Sequence, residues 1–178
     1  MTTLPELTEN ELNTLSEAHK QMLSEKPEGQ AVALDPSNKL HKEIILTALK
    51  AAGQTPEKYP HLYSEIEKGG TSSEGEPDKM IIVDAGADSN GKATATTWLA
   101  NNKGTLYSGA SLMVLDGDTD ELLAYGSSTD VHSGFMRNHT NTQTAKAADK
   151  LVRVLGVNHM VGHDGAVRFT AVAGDRHV

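Results

Sequence analysis

Apolar residues recur at helical spacing through the first third of the chain and at strand spacing through its middle, which predicts helices followed by a sheet. Thr8, Glu9, Asn10 and Glu11 form a capping box. In it the Thr8 hydroxyl accepts from the backbone N–H of Glu11, and the Glu11 carboxylate reaches back to the N–H of Thr8. The helix begun there carries Leu12, Leu15, His19, Met22 and Leu23 as one apolar stripe, and Pro27 and Gly29 end it. On that stripe His19 reads as a packed histidine with a hydrogen-bond partner. After a connector over residues 31–34, Asp35, Pro36 and Ser37 read as a turn and N-cap, and residues 38–52 carry Leu40, Ile44, Ile45, Ala48, Leu49 and Ala52 on a buried helix. Gly53 supplies a position tolerant of positive φ, and Thr55 with Pro56 offers a new helix start. A third helix is expected to begin at Tyr59 or Pro60 and run to Lys68, with Leu62, Tyr63 and Ile66 apolar.

Residues 70–78, GTSSEGEPD, contain no apolar side chain and have the composition of a solvated connector. They divide a helical segment, 1–69, expected to dock on a sheet, from an antiparallel α+β domain, 79–178. Residues 79–131 read as four β-segments, separated by an Asn-Gly turn at 88–91, a turn at 101–104 and an acidic turn at 116–120. Such short turns imply an antiparallel meander. A polar loop follows over residues 132–141, and Thr140 or Asn141 caps a helix to Leu155 with Ala145, Ala148, Leu151 and Val152 on its apolar stripe. Strands at 157–161 and 166–173 and a frayed tail at 174–178 complete the reading. The expected fold class is α+β: an antiparallel β-meander sheet of four to six strands, packed with N-terminal helices and one C-terminal helix.

Composition narrows the partners. The formal charge of -8 and a pI near 5.4 repel phosphate backbones and anionic membranes, and no run of Lys or Arg compensates locally. No apolar stretch is long enough to span a membrane, and the acidic start MTTLPELTENEL lacks the basic and apolar regions of a signal peptide, so a cytoplasmic protein is expected. Without cysteine the chain offers no disulfide, thiol nucleophile or Cys-ligated metal site. No cofactor is indicated.

Several motifs imitate chemistry. Residues 86–92 have the glycine and lysine spacing of a phosphate-binding loop, but Ala93 stands where a hydroxyl should hold magnesium and the following KATATTWLA alternates like a strand. Asp116, Asp118 and Asp120 resemble the start of a calcium loop, yet Glu121 replaces its turn glycine and Ser127 its bidentate Glu. A hairpin and a solvated acidic turn explain these two stretches better.

Two groups of candidates remain. In the polar loop His132 and His139 are available as acid or base, and Ser127, Ser128, Thr129, Ser133, Arg137 and Thr140 gather ligand-binding groups near the expected helix N-terminus. His159 and His163 are the candidate metal ligands, provided a hairpin folds them together, because four extended residues otherwise hold them about 13 Å apart. No recognisable nucleophile setting accompanies either group. The leading expectation is therefore a small acidic binding or protein-interaction module, not an enzyme, with a protein partner or self-association. The alternatives are a small hydrolase or lyase, metal-assisted or not, that uses the loop at 132–140 with His159 and His163, and a structural subunit of a larger assembly.

Overall fold

The computed structural model describes residues 5–25, 30–69, 79–87, 92–100, 105–130, 136–144, 149–162 and 167–177. Within these, residues 25, 61, 79–87, 92–100, 105–108, 128–130, 136–144 and 161–162 are described by backbone alone. The elements are α1 (Glu9–Glu25), β1 (Val32–Leu34), α2 (Lys39–Ala51), α3 (Pro60–Glu67), β2 (Lys79–Ala87), β3 (Lys92–Ala100), β4 (Thr105–Asp116), β5 (Leu122–Asp130), β6 (Met136–Thr144), β7 (Leu151–Gly162) and β8 (Val167–His177).

Local signals start the helices. Thr8 and Glu11 exchange their capping-box bonds at 3.1 and 3.2 Å. The Asn38 side chain caps α2 by accepting from the N–H groups of Leu40 and His41, and Pro60 opens α3 at a position that needs no N–H. Gly53 takes φ +73° just after α2, where a β-carbon would be strained.

All strand pairs are antiparallel. A five-stranded sheet runs β1-β8-β7-β4-β5, and a three-stranded sheet runs β2-β3-β6. The helices cover one face of the larger sheet. Met113, Leu115, Leu155, Val157, Phe169 and Ala171 share a core with Leu15, Ile44, Ile45 and Leu49. The intervening Leu112, Val114, Val154 and Val172 are buried on the opposite face. β6 passes close to β5 and β4, β3 to β4, and β2 to β8 and β7.

The α+β class and the antiparallel sheet agree with the expectation, while the connectivity differs. β3 pairs with β2 and β6, and β4 pairs with β5 and β7, so the four consecutive segments do not form one meander. The expected C-terminal helix over 141–155 is replaced by the end of β6 and the start of β7. Val152 and Leu155 of that stripe also fit a strand buried on both faces, where continuous apolar residues replace alternation, while Leu151 at its start is exposed. Residues 136–141, expected in a loop, belong to β6. The tail expected to fray extends β8 to His177, which pairs with Leu151. Part of the connector at 31–34 is β1, paired with Phe169 to Ala171. The Asn-Gly turn, the turn at 101–104 and the connector at 70–78 lie outside the described residues.

Candidate functional site

The polar residues expected to gather before a helix are divided between the two sheets. Ser127, Ser128 and Thr129 lie on β5 opposite Ser111, Ala110 and Gly109, and Ser127 is exposed. Arg137, His139 and Thr140 lie on β6 opposite Trp98, Thr96 and Ala95 of β3. With β6 a strand, the helix N-terminus that was to supply their backbone donors does not exist. His132, Ser133 and His163 lie outside the described residues.

His159 sits in β7 between Gly109 of β4 and Phe169 of β8. Its ring centroid is 6.5 Å from that of Phe169, and only 2% of its surface is exposed. Burial pushes its pKa down to about 4, so the ring is neutral at physiological pH and shut away from solvent. Its expected partner in metal binding, His163, is outside the described residues, and no group of three or more metal-binding side chains occurs among those that are described.

The acidic turn is an anchor. Asp116 Oδ1 accepts from the N–H groups of Asp118 and Thr119, and its Oδ2 meets Lys150 Nζ at 2.8 Å. Lys150 first, and then the two N–H groups, hold the Asp116 carboxyl down to about 2. Asp120 is engaged by Arg153 and by the Ser16 hydroxyl of α1. Their neighbour His19 lies 3.1 Å from Asp175 of β8 in poor alignment for a hydrogen bond. Burial lowers its pKa despite the attraction of Asp175. Ser16, Asp120 and Arg153 thereby link α1 to the start of β7, and the buried His19 packs beside Asp175 of β8.

A second buried polar feature is the cross-strand pair Asn158 and Thr170, on the sheet face turned away from the helices. The Asn158 Nδ2 and Oδ1 and the Thr170 Oγ1 have no hydrogen-bond partner among the described residues. Each such atom costs about 1–3 kcal/mol.

Among the described residues an open concave surface lies elsewhere, on the helices. A cleft of about 310 Å³ is lined by Glu11, Leu46, Lys50, Gln54, Pro56 and Tyr63. A second of about 490 Å³ adjoins it through Glu11, Leu46 and Thr47 and adds Asn10, Thr14 and Glu43. Glu43, Thr47, Lys50 and Gln54 follow one another at intervals of four, three and four residues, so helical periodicity brings them onto one side of α2 and the turn after it.

Gln54 forms the floor and is 1% exposed. Its Oε1 accepts from the Ser111 hydroxyl at 2.6 Å, its backbone carbonyl accepts from the Tyr63 hydroxyl at 2.6 Å, and its Nε2 has no partner among the described residues. Burial, and then Glu57, raise the Tyr63 pKa, so the phenol stays protonated as a donor. At the rim, Lys50 Nζ lies 2.8 Å from Glu11 Oε1. Partial burial works against ionised Glu11, but Lys50 and the Thr8 N–H and hydroxyl outweigh it and hold its pKa low.

This site was not legible as a site. The polar stripe along α2 is readable in the sequence, but nothing in it distinguishes a solvated helix face from the wall of a cleft. No protein family, curated protein or solved structure matches this chain.

Proposed function

We propose that the protein is a non-catalytic binding module that engages its partner through the helical face. The observation that carries this reading is the cleft floored by Gln54, a concave surface with an apolar lining and a charged rim, the arrangement that suits recognition. Its polar groups are an amide, a phenol and an ion pair, none of them an activated nucleophile or a base poised near neutrality. His159, which a hydrolase or lyase would need beside the strand carrying His139, is sealed in the core as a neutral ring. An interaction module also accords with the charge of -8. No helix among the described residues is long and apolar enough to cross a membrane.

The test is a turnover screen of the purified protein against p-nitrophenyl acetate, p-nitrophenyl phosphate and leucine p-nitroanilide, each with and without magnesium, manganese or zinc. The expected result is no turnover above the buffer rate. Turnover that disappears in His139→Ala or His159→Gln would overturn the proposal in favour of an enzyme.

A further inference from the structure

We infer that the two adjoining clefts take a basic segment of a partner protein, with lysine or arginine side chains interleaved with apolar ones. The inference rests on the binding-module reading and names its ligand class. Three observations carry it.

The first is charge. Glu11 and Glu43 line the clefts and Glu57 lies near Tyr63, while Lys50, the cation on the lining, is already paired with Glu11. Glu43 and Glu57 are exposed and, like Lys58 beside Glu57, have no ion pair among the described residues, so the Glu43 carboxylate on the lining is left to meet an ammonium or guanidinium.

The second is the lining. Leu46, Pro56 and Tyr63 give the alkyl stem of a lysine or arginine an apolar wall, with its charged head left at the acidic rim. The third is Gln54. Its Nε2 is a buried donor with no acceptor, while its Oε1 is fixed by Ser111. Once Gln54 turns towards the cleft, a backbone carbonyl of a bound segment is the kind of acceptor this enclosed nitrogen takes, whereas an isolated amine offers none. Two clefts side by side, of about 310 and 490 Å³, also favour a chain segment over one small molecule.

The probe is a dye-labelled acetylated nonapeptide of alternating lysine and leucine, titrated by fluorescence anisotropy against the full chain. Glutamate-for-lysine and glycine-for-leucine peptides and free lysine amide serve as comparisons. The lysine-leucine peptide is expected to bind best and to weaken as salt rises. Glu43→Gln and Glu57→Gln each weaken it about two- to fivefold, as for exposed charge pairs. Gln54→Leu weakens it further, whereas Glu121→Gln, a carboxylate in the β4–β5 turn, leaves it unchanged. Thermal melts check that Gln54→Leu is folded, and if it is not, the two carboxylate variants decide.

Binding that is absent at millimolar protein, equal for the glutamate peptide, matched by free lysine amide, or equally sensitive to Glu121→Gln overturns the inference. Such failure leaves the non-catalytic reading intact, because only the turnover screen bears on that.

Discussion

In the unfolded chain His159 titrates near 6.5, and in the fold burial pushes it to about 4, so the unfolded chain takes up the proton first as pH falls. The stability associated with neutral His159 is therefore fully present above pH 6.5 and is lost between 6.5 and 4. The loss reaches about 3 kcal/mol, from roughly 1.4 kcal/mol per pKa unit. His19, also lowered by burial, acts in the same direction. Asp116 acts in a lower window. Its carboxyl falls from 3.8 to about 2 through Lys150 and the turn N–H groups, so its contribution is present above pH 4 and is lost as pH falls towards 2. Urea denaturation from pH 8 to pH 3 is expected to show a decline that begins near 6.5. His159→Gln reduces the decline between 6.5 and 4 and leaves the part below 4, which Asp116→Asn reduces instead. A profile for His159→Gln that parallels the wild type would contradict a neutral His159 in the core.

At the scale of elements, the α1 capping box and Pro60 at the start of α3 were readable, because each is a local signal between neighbours in sequence, while the α2 cap falls on Asn38, one residue after the expected Ser37. The strands from 136 onward were not. β6, MRNHTNTQT, lacks apolar alternation, and β7 is buried on both faces, so the alternation that marks a half-exposed strand is erased. Leu40 was assigned to a buried stripe and is 41% exposed. The β4–β5 turn was legible as a turn, but not its contact with β7. A β-carbon on Gly117 would lie 2.7 Å from Leu151 Cγ and 2.8 Å from the Leu151 carbonyl oxygen, which accepts from the Gly117 N–H. Gly117→Ala must therefore shift backbone and is expected to cost about 1–3 kcal/mol in chemical denaturation. A cost within about 0.3 kcal/mol of zero would show that the turn and β7 are not so closely packed.

For the whole molecule, the distribution of polar groups points the same way as the cleft. His159, Asn158 and Thr170 are buried in the larger sheet, Ser16, Asp120 and Arg153 link α1 to β7, and the helices present a concave surface beside carboxylates with no ion pair among the described residues. Sequence periodicity announces the helices and the sheet. It does not announce the concavity, which arises only when α1, α2 and the segment at 54–63 pack together over the sheet. The most direct test of recognition through this face is a backbone amide NMR titration of the labelled full chain with the lysine-leucine nonapeptide. The account predicts saturable shifts centred on Glu11, Glu43, Leu46, Thr47 and Gln54, with β6 unmoved. Shifts centred on Arg137, His139 and Thr140, with the helical face unmoved, would contradict it.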